Sequence, residues 1–94
     1  MTFEWDENKN ATNQRKHGVS FEESQTVFYD EHALLEYDEN HSLDEDRFRI
    51  LGSSEKGNIL LVVHCVRCET VIRIISARKA TANERAGYER SIVQ

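Results

Sequence analysis

Alternating and continuous apolar segments along the chain predict a β-sheet. Alternation of apolar with polar side chains is typical of a half-buried strand, and an unbroken apolar run is typical of a central one. We therefore predict five strands, over residues Thr2–Trp5, Ala33–Tyr37, Arg47–Ser53, Ile59–Val66 and Thr70–Ser76. The fourth is apolar on both faces apart from His64, so we expect it at the centre of the sheet.

Capping residues mark three helices. We predict these helices over about Glu7–Lys16, Ser20–Tyr29 and Thr81–Ile92. Asp6 can cap the first and Gly18 can end it, while Glu23 and Glu84 each follow a hydroxyl residue at capping-box spacing. The predicted order is β-α-α-β-β-β-β-α, an α+β fold with an antiparallel sheet and helices packed mainly on one face.

The length of 94 residues fits one domain, which we place over residues 1–94. No apolar run reaches the roughly 18 residues of a membrane span. The N-terminus also lacks a basic patch followed by an apolar stretch, so we read no signal peptide in it. We expect a cytoplasmic protein with no membrane partner.

Charge is divided along the chain, although the net charge is −5. Residues 21–46 contain ten acidic residues and no Lys or Arg, whereas residues 47–94 contain nine basic and four acidic residues. Such a division suits one surface that attracts an anion and another that attracts a basic partner.

Arginines on the predicted strands form a candidate anion site. Arg47 and Arg49 alternate with apolar residues, as Arg73 does on a later strand. If the apolar residues meet the helices, these arginines converge on the uncovered face, where guanidinium groups can hold phosphate oxygens. Simple alternation puts Arg78 on the opposite face from Arg73, unless a bulge near Ser76 or the turn into the last helix redirects it.

Two cysteines, Cys65 and Cys68, form a C-x-x-C motif in a predicted hairpin. A zinc site needs two further ligands, and a redox pair usually stands where a strand feeds a helix. We interpret the pair as incidental, with a redox or zinc module as the less favoured alternative.

Four segments resemble the BrnT toxin family and keep its order from residue 3 to residue 88. They are Phe3-Glu4-Trp5-Asp6 with Lys9; Lys16 to Glu23; His41-Ser42 with Glu45 and Arg47; and Arg73 to Thr81 with Glu84, Arg85 and Tyr88. The resemblance implies a fold similar to the RelE-type ribonucleases and a ribosome-independent RNA-cleaving toxin. It also implies a BrnA-type antitoxin whose ribbon-helix-helix part binds operator DNA, and a toxin–antitoxin hetero-oligomer that represses its own operon.

RNA cleavage without a metal ion needs a base, cations that stabilise the phosphorane, and an acid. We predict this metal-independent endoribonuclease chemistry, which inhibits translation, with no cofactor and no metal ligand. The catalytic candidates are Lys16, His17, His41, Arg47, Arg73 and Arg78, and the RNA-binding candidates are Arg49, His64, Lys79 and Tyr88. The base and the acid stay unassigned among Lys16 and three histidines.

Structural roles compete with these assignments. Lys16 and His17 stand at a helix end, where a cation interacts favourably with the dipole. His64 suits a core strand, and Tyr88 can pack the last helix against the sheet. The alternative function is a non-catalytic binding module that pairs with the antitoxin as a transcriptional co-repressor, consistent with the negative net charge.

Overall fold

The computed structural model describes residues 1–41 and 45–93. Over these residues the strands and helices are β1 (Thr2–Glu4), α1 (Glu7–His17), α2 (Phe21–Gln25), β2 (Leu34–Tyr37), β3 (Arg47–Ser53), β4 (Ile59–Arg67), β5 (Val71–Lys79) and α3 (Ala82–Ile92). Short 3₁₀ turns follow α2 and β2. The predicted α+β fold and element order are confirmed.

The sheet has the strand order β1-β5-β4-β3-β2. β2, β3, β4 and β5 pair antiparallel as predicted, and β1 adds a parallel pairing to the start of β5. Because β1 covers only residues 71–73, the outer edge of β5 beyond Arg73 is left to α1. This edge positions the candidate site.

Most predicted caps are present. The Asp6 carboxylate accepts the backbone N–H of Asn8 at 2.8 Å, Gly18 ends α1 at φ 69°, and α3 begins with a complete capping box. The predicted box at the start of α2 is only half formed, because the Glu23 carboxylate binds the Ser54 hydroxyl at 2.6 Å instead. That bond anchors α2 to the turn between β3 and β4.

The core lies between the sheet and the residues around α2. Its buried apolar side chains are Val19, Phe21, Val27, Ile50, Leu60, Val62, Ile74 and Ala77. Burial of each larger side chain contributes about 2 kcal/mol. α1 contributes no apolar side chain to this cluster, and its buried residues are Asn10 and Asn13.

Candidate functional site

The predicted arginines share one face of the sheet. Arg47, Cys65 and Arg73 form one row across β3, β4 and β5, because each is paired with the next. Arg49 lies in the adjacent row. Residues paired across antiparallel strands lie on the same face, so Arg47, Arg49 and Arg73 all lie opposite the core. We call this surface the arginine face.

A bulge in β5 brings Arg78 to the same face. His64 pairs with Ile74 and the preceding Val63 pairs with Ser76, so β5 contains one additional residue, Ile75. An additional residue reverses the alternation beyond it. Arg78 consequently pairs with Leu61 on the arginine face. The extension of β5 to Lys79, three residues past the predicted end, follows the same shifted register.

Asn13 of α1 occupies the edge of β5 beside this bulge. Its side-chain Nδ2 donates to the backbone oxygens of Ala77 at 2.8 Å and Val19 at 2.9 Å. Its Oδ1 accepts the Ala77 N–H at 3.1 Å. The carboxamide therefore takes the place of a neighbouring strand where β1 has ended, and it is almost fully buried.

Carboxylates pair with the arginines of this face. Glu4 accepts a hydrogen bond from Arg73 at 2.7 Å, and Glu36 accepts one from Arg49. A phosphate that binds to either arginine must therefore compete with a carboxylate that is already in place.

The Arg78 guanidinium is held by two hydrogen bonds to Glu84 of α3, at 2.8 and 3.1 Å. The bonds from Arg78 are the main reason why the pKa of Glu84 falls to about 2. Glu84 also belongs to the capping box of α3. Arg78 thus attaches α3 to the sheet.

Arg47 lines a small cavity of about 200 Å³ together with Asp38, Val63, Ile75 and Ser76. We call it the Arg47 pocket. It lies on the arginine face, since Val63 and Ser76 pair with each other in the row of Arg49.

A second cavity, of about 300 Å³, lies between α1 and the bulge. We call it the α1 cleft. Its lining residues are Asn8, Lys9, Thr12, Asn13, Lys16 and His17 from α1, with Ile75 and Ser76 from β5. No acidic residue is among them. Within residues 1–41 and 45–93, no side chain bonds to those of Lys9, Lys16 or His17.

The two cavities meet at Ile75 and Ser76, which line both. The bulge therefore brings Arg47 to one side of these residues and Lys16 with His17 to the other. We call Ile75 and Ser76 the ridge. Arginine, lysine and imidazole groups around it can hold a phosphate, stabilise negative charge and transfer protons.

None of three predicted RNA-binding residues, His64, Lys79 and Tyr88, lies on the arginine face, and their roles in RNA binding stay predictions. His64 is 2% exposed, and its ring lies between Phe28 and Phe48 at centroid distances of 4.7 and 5.9 Å. Burial lowers the pKa of His64, which keeps the ring neutral. Tyr88 is 4% exposed and donates its hydroxyl to Asp30. Lys79 is exposed at the end of β5, but because it pairs with Leu60 it lies on the core face, away from the arginines.

His41 ends a 3₁₀ turn over Glu39–His41, and its side chain lies outside the described part of the structure. Ser42 also lies outside the described residues. The catalytic prediction for His41 therefore stays a prediction.

Sequence reasoning missed Asn13, Lys9 and Ser76. A usable signal was present for the first, because α1 is polar around its whole circumference and has no apolar stripe. A helix of that kind must attach through polar side chains, so a buried asparagine was a reasonable expectation. Ser76 had no such signal, since its position depends on the bulge.

The cysteines are both unbridged thiols; Cys65 is buried and Cys68 is exposed. Burial raises the pKa of the Cys65 thiol, which disfavours the reactive thiolate. Within the described ranges, no three His, Cys, Asp or Glu side chains group closely enough to ligate a metal ion. No helix in the same ranges has the length and apolar character of a membrane span.

Comparison with known proteins gives a consistent result. The family described as "Ribonuclease toxin, BrnT, of type II toxin-antitoxin system" matches residues 5–84. The crystal structure of the Brucella abortus ribonuclease toxin BrnT superposes with a TM-score of 0.67 at 24% identity, over 86% of this chain and 97% of that one. This similarity confirms the fold. A search of curated proteins found no match.

The family match covers most of the chain, including both sides of the α1 cleft and every strand except β1. The chain therefore belongs to the BrnT family of ribonuclease toxins of type II toxin–antitoxin systems.

Proposed function

We propose that the chain cleaves RNA at the bulge, between the Arg47 pocket and the α1 cleft, without a metal ion. The observation that carries this proposal is that Ile75 and Ser76 line both cavities. A scissile phosphate on this ridge has Arg47 on one side and the cations of α1 on the other.

The reaction is an internal displacement at phosphorus. A base removes the proton of the RNA 2′-hydroxyl, and the 2′-oxygen forms a bond to phosphorus. The bond from phosphorus to the 5′-oxygen breaks, and an acid protonates that oxygen. One product ends in a 2′,3′-cyclic phosphate and the other in a 5′-hydroxyl.

The residues near the ridge divide into charge stabilisation and proton transfer. Arg47 and Lys16 are suited to stabilise the additional negative charge of the phosphorane. His17 and His41 carry imidazole groups, which can accept or donate a proton. Which of Lys16, His17 and His41 serves as base and which as acid is left open, and the burial of His64 removes it from this set.

The remaining arginines of the face extend the site. Arg73 lies in the row of Arg47 and is proposed as a second phosphate contact. Arg49 and Arg78 lie further along and are proposed to contact the RNA backbone when their carboxylate partners yield to phosphate.

In the cell, cleavage of RNA by this chain is proposed to inhibit translation in the cytoplasm. A BrnA-type ribbon-helix-helix antitoxin would neutralise the chain in a hetero-oligomer that binds operator DNA through the antitoxin. The acidic segment over residues 21–46, which contains no Lys or Arg, suits a basic partner.

The test is cleavage of single-stranded RNA by purified protein in EDTA, with analysis of the product ends. We expect 2′,3′-cyclic phosphate and 5′-hydroxyl ends, and a loss of rate of about 100-fold in Lys16→Ala or Arg47→Ala. Arg15→Ala, on the same helix but outside the α1 cleft, is the matched control. Intact RNA with the wild type, or equal rates in all variants, contradicts the proposal.

The ion pairs of the arginine face favour one alternative, a non-catalytic co-repressor. Three of its arginines are engaged by carboxylates, as in a surface that is structural rather than RNA-binding. This alternative predicts operator binding that tightens when toxin and antitoxin are both present, while RNA stays intact.

A further inference from the structure

The α1 cleft continues past the proposed catalytic groups. Lys16 and His17 lie in the last turn of α1, whereas Lys9 and Asn8 lie in its first turns and line the same cavity. Nothing in the proposed cleavage step uses this second end.

Helix geometry places Lys9 and Lys16 on one face of α1. They are seven residues apart, which is about two turns and roughly 10 Å along the axis. One phosphate cannot contact both ammonium groups at that separation. Two phosphates of one strand can, with Thr12 and Asn13 between them.

Among the described residues, no carboxylate holds the Lys9 ammonium group. The nearest acidic residues in sequence, Asp6 and Glu7, are already engaged by other donors. Asp6 accepts backbone N–H groups at the start of α1, and Glu7 accepts the Trp5 indole N–H at 2.9 Å. The arginine face differs, because its cations are paired with carboxylates.

We propose that the Lys9 end of the α1 cleft is a second RNA subsite, which binds the backbone phosphate of a nucleotide beside the cleaved one. This inference rests on the proposed function, since it takes the cleaved strand as its ligand. The strand then crosses the edge of the sheet at Ile75 and Ser76 and continues along α1. A contact of this kind positions the strand without reading its bases.

The test compares wild type, Lys9→Ala and Arg85→Ala. Arg85 is an exposed cation on α3, so both substitutions remove one positive charge. Binding to a 2′-O-methyl single-stranded oligonucleotide, which lacks the attacking hydroxyl, is measured by fluorescence anisotropy from low to high salt. Cleavage of the matching RNA is measured separately, as is the melting temperature.

We expect Lys9→Ala to lower the slope of log affinity against log salt by about 0.7, the value for one phosphate contact on a single strand. The same variant should lower kcat/KM by a similar factor for several unrelated RNA sequences. The decrease should come from a higher KM, with kcat unchanged. Arg85→Ala should leave the slope and KM unchanged, and all three proteins should have the same melting temperature.

An unchanged slope in Lys9→Ala, or a decrease that Arg85→Ala reproduces, overturns the subsite. If the slope decreases in Lys9→Ala alone while wild-type protein leaves RNA intact in EDTA, the phosphate contact at Lys9 stands as RNA binding and the proposed cleavage fails. If wild-type protein cleaves and the slopes are equal, the subsite alone fails.

Discussion

The side chain of Asn13 pairs with both backbone polar groups of Ala77, a residue 64 positions away in sequence. Its amide nitrogen donates to the Ala77 oxygen at 2.8 Å, and its oxygen accepts the Ala77 N–H at 3.1 Å. Through these two bonds α1 supplies the ladder contacts that a strand would make. The pairing lies two residues beyond Ile75, the additional residue of the bulge that directs Ser76 and Arg78 to the arginine face.

We expect Asn13→Ala to destabilise the fold by about 3 kcal/mol, because it leaves the backbone groups of Ala77 and the oxygen of Val19 buried without partners. Urea denaturation followed by circular dichroism measures this change. Asn83→Ala, at an exposed position of α3, is the control and should alter stability by less than about 0.5 kcal/mol. Equal stabilities of the two variants would contradict the structural role of Asn13.

The Arg78–Glu84 pair should make stability depend on acid pH. The pKa of Glu84 is about 2 in the folded chain and near 4.5 in the unfolded one, so the unfolded state binds a proton first. The stabilisation is therefore complete above about pH 5 and is lost as the pH falls towards 2. At pH 7 we expect Glu84→Gln to cost about 2 kcal/mol for this partly exposed pair.

The measurement is the free energy of unfolding of wild type and Glu84→Gln at pH 7, 5 and 3. The difference between the two proteins should shrink at the lowest pH. Glu89→Gln changes an exposed residue of the same helix and should follow the wild type at every pH. A difference that does not change with pH would show that the carboxylate is not the source.

The buried His64 should make stability depend on pH between neutral and mildly acid conditions, above the range in which Glu84 is protonated. Burial lowers its pKa in the folded chain, whereas the unfolded chain takes up a proton near pH 6.5. Stability should therefore fall as the pH decreases from 7 to 5. His64→Phe should remove this dependence, and His32→Gln, at an exposed position, should retain it. If the pH dependence of stability persists in His64→Phe, another residue is its source.

Local patterns predicted the elements well because caps and alternation act between neighbouring residues. Asp6, Gly18 and Thr81 mark helix ends through bonds that span four residues or fewer. β3 was predicted without error over Arg47–Ser53, since its alternation is unbroken. The same alternation was misleading beyond Ile74, because the bulge shifts the register there and lies beside a contact with α1 that no local pattern contains.

The candidate site was predictable only in part for the same reason. Alternation placed Arg47 and Arg73 on one face, and the register confirms that placement. Their acidic surroundings come from distant segments: Glu4 reaches Arg73 from β1, and Glu84 reaches Arg78 from α3. The sequence therefore indicated the cations of the sheet but not how strongly each is already engaged.

The Glu4–Arg73 pair allows the arginine face to be tested by removal of the competing carboxylate. Glu4→Gln frees the Arg73 guanidinium from an ion pair whose nitrogen–oxygen distance is 2.7 Å. If Arg73 contacts RNA, we expect the variant to bind a single-stranded oligonucleotide about threefold more tightly. The salt slope should rise by about 0.7, for one additional phosphate contact. Because the pair is partly exposed, stability should change by less than about 1 kcal/mol.

Glu55→Gln is the matched control, because it removes the same charge from an exposed residue in the turn between β3 and β4. A general gain from the less negative net charge would appear in both variants, whereas a gain from Arg73 appears in Glu4→Gln alone. The double variant Glu4→Gln with Arg73→Ala should then lose the gain and return to the lower salt slope. If Glu4→Gln and Glu55→Gln bind equally, Arg73 serves the sheet edge, where it holds β1, and RNA binding must rest on Arg47 and the α1 cleft.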